Sequence, residues 1–135
     1  MISIKKVLLK IIQEFQPKPV LLWTNPNPSY NFSEQTIIES SGGWVSGKHL
    51  SDYNALEIHT NYNPGGNETY FANKIMTDGK DWVLFAHNNG TYPYGIRGVK
   101  ASNSGIVFNS GMLIQGASAS VNNAVAVPIK IYGIK

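Results

Sequence analysis

A chain of 135 residues, 42% hydrophobic and 14% charged, has the size of one domain and can bury roughly two-thirds of its unfolded surface on folding. The net charge of +3 is mild, Lys5, Lys6, Lys10 and Lys18 all cluster at the start, and no basic stripe interleaved with aromatics runs through the rest, which argues against nucleic acid as a partner. Cysteine is absent and no apolar run approaches the roughly 18 residues of a membrane span, so disulfides, thiolate chemistry and a transmembrane helix are not expected.

Residues 1–15 are written in helical period. Met1, Ile4, Leu8, Ile11 and Phe15 recur at alternating spacings of three and four, the a/d rhythm of a helix that packs on other helices. Ile2, Val7, Leu9 and Ile12 widen the stripe, while Lys5, Lys6, Lys10, Gln13 and Glu14 lie outside it. Four turns, about 22 Å long, are marginal alone, so this helix must pack on something: its own domain, symmetry mates or a partner. Isoleucine at both d positions favours three or more helices over two. Lys10 interrupts the apolar run after Val7, Leu8 and Leu9, and no small-residue cleavage site follows, so a signal peptide is not expected.

Pro17 and Pro19 stop the helix and stiffen a linker over residues 16–19. From residue 20 the period changes to that of strands. Strands are expected over 20–23, 36–39, 55–62, 68–76, 82–86, 94–101, 106–109, 112–115 and 124–134. Turn chemistry separates them, at Asn25-Pro-Asn-Pro28, Ser40-Ser-Gly-Gly43, Asn63-Pro-Gly-Gly-Asn67, Thr77-Asp-Gly-Lys80 and Ser102-Asn-Ser-Gly105. Alternation is clearest in 55–62, with Leu56, Ile58 and Tyr62 on one face and Glu57, His59 and Asn61 on the other. The run 82–86 is apolar on both faces and reads as central in a sheet, 116–123 reads as a small-residue loop, and Pro128 marks an edge or a bulge. Without crossover helices, strands at about ten-residue intervals imply an all-β fold, an antiparallel sandwich of jelly-roll type. The expected organisation is a helix over 1–15 for oligomerisation or anchoring, the linker, and a β-sandwich head over 20–135.

Catalytic signatures are lacking. His49, His59 and His87 lie in different elements without metal-ligand spacing, no G-x-S-x-G elbow is present, and Asp52, Asp78 and Asp81 sit beside turns. Beyond the helix, the remaining acids, Glu34, Glu39, Glu57 and Glu68, are too few and scattered to suggest a glycosidase pair, although two carboxylates facing one cleft would make that case. The glycine-rich stretches have no phosphate-loop lysine, and the Asn-x-Ser/Thr matches at Asn31, Asn67 and Asn89 read as chance in an Asn-rich chain. No cofactor, metal or enzymatic activity is expected. What remains is binding: Trp44, Tyr62, His87, Tyr92 and Tyr94 stand in loops near amides, the residue types that stack on sugar faces while carboxamides bond hydroxyls.

Several stretches taken together resemble a known family. Leu22-Trp-Thr-Asn-Pro-Asn-Pro28, Phe32-Ser-Glu-Gln-Thr-Ile37, Leu50-Ser-Asp-Tyr53 and the terminal Val127-Pro-Ile-Lys-Ile-Tyr-Gly-Ile-Lys135 are similar to the C-terminal β-sandwich domain of tailed-phage and prophage virion proteins, namely tail-fibre, head-fibre or minor structural proteins. The resemblance starts at about residue 20 and its most specific part is the closing I-Y-G-I-K. It implies a virion component made in the host cytoplasm, a trimer attached to capsid or tail proteins, with no catalytic residues and no membrane partner. The chain departs from the pattern by inserting residues 40–48 and by lacking a shaft, which points to a short fibre or decoration knob. Contact with host surface glycans is one role for such a knob, and a free carbohydrate-binding module without a virion role is the alternative.

Overall fold

The computed structural model describes residues 3–15, 18–28, 31–62, 70–88 and 91–135, without the side chains at 13–15, 70, 88, 91 and 92. Met1, the linker residues 16–17, the turn at 63–67 and the side chains of Phe15 and Tyr92 therefore lie outside the described residues. Among the described residues, helix α1 (Ile4–Phe15) is followed by nine strands: β1 (Val20–Thr24), β2 (Gln35–Ile37), β3 (Ala55–Asn61), β4 (Tyr70–Met76), β5 (Asp81–Asn88), β6 (Thr91–Ser102), β7 (Gly105–Gln115), β8 (Ser118–Val121) and β9 (Val127–Ile134). A single 3₁₀ turn, Leu50–Asp52, precedes β3.

Two antiparallel sheets form the sandwich, one ordered β1-β9-β3-β4 and the other β2-β7-β6-β5, with β8 also paired to β7. The last strand thus lies between the first and the third, the non-local pairing expected of a jelly-roll-like chain path. Inward positions supply the core: Leu22, Trp23, Leu56, Ile58, Ile75 and Ile131 from one sheet, and Leu84, Val99, Ile106 and Phe108 from the other. Strand β1 enters the sandwich at Val20, opposite Gly133, and leaves it at Thr24, opposite Lys130. The helix therefore joins at one end, with Ala55, Met76 and Ile134, while Asn61 and Val127 mark the far end.

Several strand expectations are corrected. The run 82–86 belongs to β5, an edge strand rather than a central one, and its apolar outward residues Val83 and Phe85 are exposed. Segments 106–109 and 112–115 form one continuous strand, β7, and the small-residue stretch read as a loop contains β8, which extends the sheet beside the second half of β7. Small side chains there misled the reading because β8 has no inward face to bury. Pro128, by contrast, meets the expectation of an edge or a bulge: it lies in the central strand β9 at a register shift against His59 and Thr60, where a bulge absorbs the missing donor. Asn61, expected on the wet face, is buried.

Two of the sheet edges carry extra backbone contacts. Thr24 N–H bonds Gly43 C=O (3.0 Å) and Val45 N–H bonds Leu22 C=O (2.8 Å), so residues 43–45 run beside β1. Gly43 makes this approach feasible, since its φ is +91° and an added Cβ would collide with the Thr24 carbonyl oxygen. At the opposite edge the side chain of Asn73 on β4 caps β5. Exposed ladder groups invite pairing with other chains, and these contacts occupy some of them at β1 and β5.

Candidate functional site

In α1 the a/d residues Ile4, Leu8 and Ile11 are 78%, 54% and 43% exposed, and every described side chain from Ser3 to Ile12 is exposed. The described side chains of the stripe are not buried on the sandwich, contrary to a helix that docks on its own domain.

A second apolar surface was not legible in the sequence. Cross-strand partners Phe85, Ile96, Met112 and Val121 form one row across β5, β6, β7 and β8, and His87, Tyr94, Ile114 and Ala119 form the next. Their chain neighbours Leu84, Ala86, Gly95, Arg97 and Gly111 are buried, so both rows face outward. Aromatic rings interlock at one end of these rows: Phe71 to His87 at 4.4 Å, Phe85 to His87 at 5.3 Å and Phe85 to Tyr94 at 5.3 Å between centroids. The outer face of the other sheet is polar by contrast, with Glu57 bonded to His59 (3.2 Å) and His59 beside Tyr132.

The aromatics singled out for glycan contact therefore separate. His87 and Tyr94 come together in the apolar rows, Tyr62 lies just beyond β3 at the same end, and the Tyr92 side chain is outside the described residues. Trp44 is elsewhere, half-buried against the core with its indole N–H donated to Lys48 C=O (2.9 Å) and its backbone bridged to Trp23. It is a packing residue of the loop covering β1.

Two further features were missed. Arg97 on β6 is fully buried, and all five of its N–H groups donate to backbone carbonyls: Nε to Ala126 (2.9 Å), Nη1 to Phe32 and Asn109 (2.7 Å each), and Nη2 to Asn123 (3.3 Å) and Val125 (3.1 Å). Burial lowers its pKa to about 10, which leaves the guanidinium charged at neutral pH. It ties the approach to β2, the middle of β7 and the approach to β9 into one unit, and it holds Ala126 at a positive φ of 49°. The only sequence signal is its place in the inward register of Gly95, Arg97, Val99 and Ala101.

The other feature is a cleft of about 390 Å³ between the β1 and β2 edges, floored by Trp23, Phe32 and Ile37 and rimmed by Asn27, Asn31, Gln35, Thr36 and Ser41. Beside it, Asn25 fixes the turn: its Nδ2 donates to Pro128 C=O (2.8 Å) and its Oδ1 accepts the N–H of Asn27 (2.8 Å). Nothing in the local sequence announces the cleft, because it forms only where two strands from different sheets come to lie side by side.

Carboxylates serve local structure. Glu39 accepts the N–H of Leu50 (2.7 Å) and contacts His49 (3.2 Å), and these bonds, Leu50 foremost, hold its pKa below the ordinary value. Asp78 accepts from the Trp82 indole (3.1 Å) and the Lys80 N–H (3.0 Å), which lower its pKa likewise. Among the described residues no three His, Cys, Asp or Glu side chains gather as a metal site. Among the described residues no helix is long and apolar enough to cross a membrane. In comparisons with known proteins, no family model, curated protein or solved structure matches the chain.

Proposed function

We propose that the protein is a non-enzymatic structural component of a phage virion: a short knob whose N-terminal helices gather copies, three in the preferred form, and fix the sandwich to capsid or tail proteins. The observation that carries this reading is the exposed apolar stripe of α1. Each large aliphatic side chain taken out of water contributes roughly 1.5–3 kcal/mol, so a helix presenting Ile4, Val7, Leu8, Ile11 and Ile12 gains most by association. Leucine at a with isoleucine at d favours three or more helices.

The two apolar rows on the five-stranded sheet support the same reading. On the same sheet Asp81 and Lys100 pair with each other at 3.5 Å, which offsets the two charges against one another. The outward-facing rows offer copies a face through which to meet. Placement on a virion is supported by the resemblance of residues 22–37, 50–53 and 127–135 to phage virion domains.

The test is the full chain carrying Leu8→Asp and Ile11→Asp. It is expected to be monomeric, with an unchanged near-ultraviolet tryptophan spectrum, and to be absent from particles assembled with it. A variant that associates like the parent contradicts the proposal, as does a monomeric parent whose helix instead floats with anionic lipid vesicles.

A further inference from the structure

We propose that the cleft between β1 and β2 is a binding site for a neutral saccharide unit. This stands on the cleft's own geometry and does not depend on self-assembly. Its volume, about 390 Å³, falls within the range of roughly 300–1,000 Å³ typical of small-molecule sites. Among the described residues no Asp, Glu, Lys, Arg or His lines it, so a phosphate, carboxylate or ammonium group finds no counter-charge there.

The rim offers what a polyhydroxyl ligand uses. The carboxamides of Asn27 and Asn31 and the hydroxyl of Thr36 bond no described residue, and each side chain both donates and accepts. Gln35 spends its Nε2 on Ser33 C=O (3.2 Å) and keeps its carbonyl oxygen, while Ser41 Oγ accepts the N–H of Ile38 (2.9 Å) and keeps its proton to donate. A sugar hydroxyl is donor and acceptor at once, and such a mixed ring matches it.

The floor is apolar and already rigid. Trp23 donates its indole N–H to Gly42 C=O (2.9 Å) and meets Phe32 edge-on at 6.2 Å, so little ordering remains to be done when a ligand arrives. A fully apolar ligand would strip water from the rim amides without replacing their bonds.

The test titrates the isotope-labelled full chain with maltotriose, chitotriose and lactose, with sialyllactose as anionic control, and probes an array of neutral glycans. At least one neutral probe is expected to shift the side-chain amides of Asn27, Asn31 and Gln35 and the Trp23 indole N–H saturably. Asn31→Ala with Gln35→Ala is expected to weaken that binding about tenfold or more, with the remaining spectrum unchanged. If that pair fails to fold, Asn27→Ala, at an exposed position, carries the same test. Shifts centred on His87 and Tyr94, preference for sialyllactose, undiminished binding by the variants, or no neutral glycan bound on the array overturn the proposal.

Discussion

The carboxamide of Asn73 bonds both backbone groups of Phe85, accepting its N–H at 2.9 Å and donating to its C=O at 3.2 Å, as a neighbouring strand would. Asn73 lies on the edge of one sheet and Phe85 on the edge of the other, so this side chain closes one flank of the sandwich. Thr60 Oγ1 adds a bond to the same carbonyl (2.8 Å). Asn73→Ala is expected to cost about 1–2 kcal/mol in urea unfolding and to speed hydrogen exchange at the Phe85 amide. Unchanged exchange there would show that the edge is not held by this contact.

Arg97 makes the strongest stability prediction. It is a buried cation with no carboxylate partner, compensated by five carbonyl oxygens, and charge-assisted bonds of this kind are stronger than neutral ones. Arg97→Met leaves those carbonyls unpaired and is expected to cost about 3–5 kcal/mol by chemical denaturation. Arg97→Lys keeps the charge but has three donors for five acceptors, so it rescues only part of the loss. Full rescue by lysine would mean that charge, rather than the planar fork, organises the site.

Gly111 shows how tightly the same region is packed. A Cβ there would lie 2.3 Å from Asn122 O and 2.8 Å from Arg97 Nη2 and Val125 O. Gly111→Ala is expected to destabilise by at least about 1–3 kcal/mol and to broaden the Arg97 resonances. Gly42→Ala, where nothing lies within 4 Å, serves as the silent comparison in the same denaturation series.

Acid sensitivity follows from Glu39 and Asp78. Both pKa values are lowered in the folded chain from 4.5 and 3.8, so both contribute stability above those values and lose it as pH falls through the folded ones. Thermal melts are therefore expected to shift downward below about pH 4.5, and Glu39→Gln is expected to flatten the upper part of that slope. An unaltered slope in the variant would remove Glu39 from the account.

Much of the architecture was readable because its signals are local. The three-four spacing of Ile4, Leu8 and Ile11 and the turn residues at 77–80 and 102–105 announce α1 and the strands around those turns without knowledge of distant contacts. What escaped depends on tertiary pairing. Val83 and Phe85 look like core residues of a central strand until β5 is found at an edge, facing outward beside Ile96. Arg97 resembles any strand arginine, since its five acceptors lie as far away as Phe32 and Ala126 in the sequence. Trp44, a loop aromatic read as a sugar platform, is consumed by covering Trp23, and the cleft nearby draws on β1, β2 and the turns that flank them.

Sedimentation equilibrium of the full chain over a range of micromolar concentrations tests the central claim most directly. A single species of three times the 14.8 kDa chain mass, reduced to the monomer when Leu8 and Ile11 are replaced by aspartate, is the predicted result. A 14.8 kDa monomer at every concentration would contradict it.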